Sequence, residues 1–277
     1  MGHRLVEQNQ FAQDELSSEE SVSLTMTSEP LFLDTITHFL WNEFHTDRYP
    51  ETEQGGIYHA TSRPIQRIGL ALEPFPGVSA WVQETQIDAL WLHRPWKLDL
   101  ADFPADVGIF FNHLSFDETL TIGYNTYLAS RLGAMGTPEP LGYKQVTNEA
   151  GVLLPQRPIG MLTDVAEHEF DYWLAMVKQE FGGYDRAETG RDSTGWQVEN
   201  CRVAVVGAMT DELVREAANR GANLYLTGAY RKPAQQAVDE TGIAVVAVGH
   251  RRSEEWGMQA LADILQKRWP VDCFICE

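Results

Sequence analysis

His250 and Glu254 stand four residues apart, directly after an apolar run, Ile243 to Val248, that stops at Gly249. Imidazole nitrogen and carboxylate oxygen together are donors for a divalent ion such as zinc, iron or manganese. If the chain is already helical there, a spacing of four stacks both side chains on one face. A second apolar run, Ile109 to Phe111, is followed by His113 and Asp117 at the same spacing. A third, Ala89 to Leu92, runs straight into His93, Arg94 and Pro95. The chemistry these residues could do is metal-assisted hydrolysis. An ion with an open position lowers the pKa of its bound water toward neutrality, and Glu254 or Asp117 would bridge or act as general base.

Such side chains need a scaffold that delivers strand ends to one place. Ile243 to Val248 reads as a buried strand, and Met258, Leu261, Ala262 and Leu265 recur at helical steps after Gly257. The stretch Val107 to Leu132 repeats that order: strand, His113 and Asp117, Gly123, then a helix carrying Tyr127, Leu128 and Leu132. Upstream of each lies a strand–helix–strand pattern. In the first copy it is Ile68 to Leu72, a helix from Val78 to Thr85, and Ala89 to Leu92. In the second, Val203 to Val206 and Leu224 to Leu226 flank a helical stretch, and the latter ends at Thr227 and Gly228. The chain is therefore expected to be an α/β protein of two similar lobes related by internal duplication, with a metal cleft between them.

The expected division is a polar N-terminal tail over 1–29, a first lobe over 30–135 and a second over 136–277, with the final helix free to pack across the cleft. Leu31 to Phe44 is predicted helical behind Pro30. Glycines and prolines between Gly133 and Gly160 predict a connecting loop. Val165 to Phe181 predicts an amphipathic helix closed by Gly182 and Gly183, and Tyr184 to Glu199 a further loop.

Composition narrows the function. A formal net charge of −19 argues against a nucleic-acid surface, which needs clustered Lys and Arg. No run of eighteen apolar residues suits a membrane. Three cysteines make no disulfide framework, and the first thirty residues carry no apolar signal segment, so a cytoplasmic location is expected. Cys273 and Cys276 form a lone CxxC, which is too little for a zinc site. Neither a dinucleotide fingerprint nor a P-loop is present.

Four motifs in order carry a resemblance. They are Leu92-His93-Arg94-Pro95; His113 to Asp117 with Gly123-Tyr124-Asn125; Asn223 to Gly228; and Gly249-His250 to Glu254 with Gly257. From about Leu31 to about Lys267 the chain resembles the NGG1-interacting-factor-3-like (NIF3-like) family, also labelled GTP cyclohydrolase 1 type 2. The resemblance implies a NIF3-like fold, a two-metal site between the lobes, and assembly as a homohexamer. By position it implies His93, Asp117, His250 and Glu254 as metal ligands, with Glu254 and Asp117 as catalytic groups. His113 and Asn125 are expected to back the ligands rather than bind the ion, with Asn125 either capping a helix or lining the cleft.

Two departures change the expectation. The family's second histidine of a doublet is Arg94 here, and a guanidinium has no lone pair for a cation. The cofactor expected is thus one or two divalent ions per chain, with one favoured. Arg94 either fills part of the vacated place, paired with Asp117 or Glu254, or grips a substrate phosphate. Ala229 stands where an acidic residue is common in the family. The function implied is a metal-dependent hydrolase of unknown substrate with an altered, mononuclear site. The alternative is a non-catalytic oligomeric scaffold whose metal centre has eroded.

Overall fold

A computed structural model describes residues 3–5, 29–190 and 201–276. The chain begins with strand β1 (His3–Leu5) and helix α1 (Leu33–Glu43). The first α/β run is β2 (Gly56–His59), β3 (Arg67–Ala71), α2 (Val78–Glu84), β4 (Ala89–Leu92), β5 (Gly108–Phe111), α3 (Leu114–Leu120) and α4 (Thr126–Arg131). A hairpin of β6 (Glu139–Lys144) and β7 (Arg157–Val165) follows, then α5 (Phe170–Phe181) and β8 (Arg186–Glu188). The second run is β9 (Cys201–Val206), α6 (Asp211–Asn219), β10 (Leu224–Thr227), α7 (Gln235–Thr241), β11 (Ala244–Ala247) and α8 (His250–Arg268). The last strand is β12 (Asp272–Cys276).

These strands form two six-stranded sheets, ordered β1-β12-β3-β4-β5-β2 and β6-β7-β9-β10-β11-β8. Each contains three parallel strands from its own α/β run, registered through Ile68, Ala89 and Gly108 in one and Val203, Leu224 and Ala244 in the other, and β12 adds a fourth parallel strand to the first. Strands covered on both faces read as continuous apolar runs, and β4, β10 and β11 are buried at every position. The duplication extends to a detail. Asp88, just before β4, accepts hydrogen bonds from the Gln66 and Arg67 amides, each 2.9 Å. Asn223, just before β10, accepts one from the Arg202 amide, also 2.9 Å.

A single apolar core runs between the sheets. It joins Ile36 and Leu40 of α1, Phe116 of α3, Trp173 of α5 and Leu261 and Leu265 of α8 to the inner faces of both sheets. Smaller cores lie outside: α2 covers the first sheet through Trp81 and Val82, and α6 and α7 cover the second through Val214 and Val238.

Several expected elements differ. The helix predicted from Val165 starts at Phe170, because Val165 is the last residue of β7 and pairs with Cys201. Antiparallel pairing with β9 outweighs helical periodicity there. The loop predicted between Gly133 and Gly160 holds β6 and the start of β7. Pro140 is tolerated because β6 is an edge strand. The loop predicted from Tyr184 contains the short strand β8, and its residues 191–199 lie outside the described residues. Within the tail of 1–29, His3–Leu5 pairs antiparallel with β12, while 6–28 lie outside the described residues. Finally, β12 lies in the first sheet, parallel to β3, although its residues fall in the expected second lobe. The long helix α8 carries the chain back across.

Candidate metal centre

Parallel strands deliver loops at their carboxyl ends, and open α/β sheets place ligand sites there. His93 follows β4, His113 follows β5, and His250 follows β11. His93 is fully buried, against Phe116 with ring centroids 5.1 Å apart. Its Nδ1 lies 2.9 Å from the Asn112 carbonyl oxygen. That contact fixes the proton on Nδ1 in the neutral ring and turns Nε2 to the cleft. His113 caps the start of α3, one turn before Asp117.

His93 Nε2 lies 3.3 Å from Asp117 Oδ1 and 3.3 Å from Glu254 Oε1. Neither contact has hydrogen-bond geometry, so Nε2 and Asp117 Oδ1 are buried polar atoms without a hydrogen-bond partner among the described residues. Donors gathered about one ion at ~2.0–2.2 Å stand roughly 3–3.5 Å apart, so this spacing suits a shared cation better than a direct bond. One ligating atom each from His93, His113 and Asp117 lie within 4.8 Å of one another, and this His–His–Asp group could hold a metal ion. His113 Nδ1 is 2.6 Å from Glu53 Oε2. A carboxylate behind an imidazole orients the ring and leaves its other nitrogen for a metal.

The charges fit the same reading. Burial alone would lower the pKa of His93, but the Asp117 and Glu254 carboxylates outweigh it and hold the ring's pKa up at about 9. Burial would raise that of Glu254, yet His250, His93 and Arg94 hold its carboxyl well below the usual range. A proton on His93 thus takes the place of a cation when no ion is bound.

Arg94 sits on the other side of Glu254. Its Nη2 donates to Glu254 Oε1 and lies 3.5 Å from His250 Nε2, and its Nη1 donates to Glu73 Oε1 at 3.2 Å. His250 Nε2 is 3.1 Å from Glu254 Oε1, and its pKa is raised chiefly by that carboxylate. Of the expected pairings for Arg94, the one found is with Glu254. Where α3 and α8 meet, Gly257 leaves no room for a side chain: a Cβ there would stand 2.7 Å from Phe116 Cζ and 3.1 Å from the Leu120 carbonyl oxygen. This close approach sets the spacing of Asp117 and Glu254.

The expected ligands His93, Asp117 and Glu254 converge, while His250 reaches the group through Glu254 and its side chain is 62 % exposed. His113, expected behind the ligands, is itself one of the three clustered donors. Asn125 is not part of the cage contacts: its side chain accepts from the Leu128 amide and donates to the Thr121 carbonyl, each 2.9 Å, capping α4. Glu53, Glu73 and Asn112 had no spacing signal in the sequence. Glu53 approaches from a single 3-10 turn, Glu51–Glu53, 60 residues before His113. Cys273 is buried in β12, so the CxxC is part of a strand.

Comparisons with known proteins agree with the fold. A GTP cyclohydrolase 1 type 2 homolog of Neisseria meningitidis serogroup B is 29% identical over 188 residues, 68% of this chain and 63% of that protein. The match thus spans under two thirds of that relative's length. Reduced HcgD from Methanocaldococcus jannaschii superposes with a TM-score of 0.62 at 18% identity, over 89% of this chain and 98% of that one. A Bacillus cereus protein related to NIF3 superposes with a TM-score of 0.59 at 15% identity, over 90% and 98%. Residues 103–277 match the family described as Duf34/NIF3 (NGG1p interacting factor 3), and the chain belongs to that family.

Proposed function

We propose that this chain is a divalent-metal-dependent hydrolase with a one-ion site. The observation that carries it is the buried, hydrogen-bond-free pair of His93 Nε2 and Asp117 Oδ1 beside His113. His93, His113 and Asp117 would hold the ion, with Glu254 Oε1 closing its inner side. The metal, of the zinc, iron or manganese kind, supplies Lewis acidity that polarises a phosphoryl or carbonyl oxygen and acidifies water. Arg94 puts a fixed positive charge on the far side of Glu254, where it can take an anionic oxygen of the substrate. Glu254, held strongly ionised, is a weak proton acceptor and serves to position Arg94 and His250. Asp117 would hold the ion through one oxygen, which leaves its other oxygen to accept a proton. His250, more exposed and with a raised pKa, stands where it can return one to the leaving group.

The relatives' label suggests a nucleotide-like ring, and Arg94 suggests a phosphoester; both remain substrate classes to be tried. The second reading, a non-catalytic homo-oligomeric scaffold, is favoured by the ion pair that Arg94 already makes with Glu254. A homohexamer rests on the resemblance and is tested by light scattering. Calorimetric titration of chelator-treated protein with manganese or zinc separates the readings. One site per chain, with phosphoester hydrolysis that Asp117→Asn abolishes, supports the hydrolase. Absence of metal binding transfers support to the scaffold.

A further inference from the structure

Between the lobes, and lined by none of the cage residues, lies a second cavity of about 430 Å³. That volume is in the range of small-molecule sites, which favour domain interfaces. Phe44, His45, Arg48 and Tyr49 form one wall, Tyr124 the second, and Tyr143 and Arg157 of the β6–β7 hairpin the third.

Its charge is unlike that of the chain around it. In a protein of net charge −19, this cavity has two guanidinium groups against one lining carboxylate, Glu43. Arg157 is already neutralised: its Nε donates to Glu118 Oε2 at 2.6 Å, and its guanidinium lies 4.5 Å from the centre of the Tyr49 ring. Arg48 is not. It is half-buried, and among the described residues its guanidinium makes no hydrogen bond or ion pair. A partly desolvated guanidinium without an anion is an incomplete arrangement. His45, at the rim, is held in the left-handed region at φ 48° and ψ 47°. A non-glycine residue rarely adopts that conformation, and such strain gathers at ligand sites. Tyr143 is half-exposed, so an aromatic face is open to a ligand.

We infer that this cavity binds a small organic anion, a carboxylate or phosphate borne on a planar ring, with Arg48 taking the charge and Tyr143 the ring. The site is separate from the metal cage and stands whether or not the cage is catalytic. The test uses the full chain, freed of metal and dialysed, titrated by calorimetry with phenyl phosphate, benzoate, inorganic phosphate and benzylamine. A ring-bearing anion is expected to bind at one site per chain, and benzylamine to give no binding. Whichever of phenyl phosphate and benzoate binds tighter assigns the phosphate or carboxylate class. Arg48→Ala is expected to weaken binding by about tenfold, with part restored by Arg48→Lys, as for a charge-assisted contact. Asp117→Asn in the cage is expected to leave it unchanged. Absence of binding by both ring anions overturns the inference, as does an affinity indifferent to Arg48→Ala. Binding that is lost with Asp117→Asn belongs to the cage and overturns it too. Inorganic phosphate binding as tightly as phenyl phosphate removes the ring from the proposal.

Discussion

Arg94 and Glu254 form an ion pair that joins the two halves of the duplication, the first from the end of β4 and the second from the first turns of α8. The Glu254 carboxylate is almost wholly buried, 3 % exposed at its side chain. A buried carboxylate needs positive charge around it, and here that charge comes from a guanidinium and two imidazoles. Because the guanidinium cannot lose its proton, its side of Glu254 carries a permanent cation. The side shared with His93 and Asp117 does not, since a proton there can be exchanged for a metal.

A count of metal follows from that asymmetry. Elemental analysis of protein purified without chelator should find about one divalent ion per chain, the number that one set of nitrogen and oxygen donors holds. Arg94→His replaces a fixed charge with a lone pair and should raise the count toward about two. A count that stays the same would show that something other than the arginine excludes the second ion.

Glu53 gives a sharper test of His113. In Glu53→Gln the ring keeps a hydrogen-bond acceptor but loses the negative charge 2.6 Å from Nδ1. Metal affinity should fall by about 10–100-fold, the usual effect of altering a ligand's partner. Thermal stability of the metal-free variant should barely change, because Glu53 is partly exposed. If affinity is untouched, His113 does not bind the ion.

The general plan was legible because buried parallel strands announce themselves as apolar runs. His93, Asp117 and Glu254 were legible because each follows such a run or sits one helical turn beyond it. What the sequence hid is non-local. The difference between His113 as backing and His113 as donor depends on Glu53, which comes from a three-residue 3-10 turn too short to carry a periodicity of its own. Asn125 was open to two readings, a cap or a cleft lining, which motif spacing alone does not separate; it caps α4. The β6 strand was concealed by Pro140 and Gly142, residues that signal turns unless the strand lies at an edge.

The pH dependence of metal-free protein tests the charge state of His93. Its folded pKa, about 9, is above the ordinary 6.5, so folding favours the protonated ring. The stabilisation is complete below the ordinary value and is lost as pH rises through the folded one. Between the two, unfolding free energy should fall by about 1.4 kcal/mol per pH unit from this group. Urea unfolding at a series of pH values reads the slope directly, and His93→Phe should remove it. With a saturating divalent ion that slope should vanish, since the ion keeps the folded ring as free of its proton as the unfolded one, and stability should instead rise with pH only below the ordinary value of 6.5. A flat profile for the metal-free protein would contradict a protonated His93.

The buried pair Arg157 and Glu118 tests how firmly the lobes are held in register. Arg157 lies on β7 of the second sheet and Glu118 on α3, next to Asp117, and they are 3 % and 8 % exposed. Arg157→Met leaves Glu118 with the Tyr49 hydroxyl and, as its one remaining cation among the described residues, Lys144 Nζ, 3.8 Å from its Oε1. Breaking a buried pair this way should cost about 3–5 kcal/mol, with Lys144 holding the loss near the lower end. Replacing both, Arg157→Met with Glu118→Leu, removes the unpaired charge and should recover most of that loss in urea unfolding. Metal affinity should follow the same order, because the tilt of α3 sets where Asp117 meets His93. A double variant as unstable as the single one would mean that the pair is held by its packing and not by its charge.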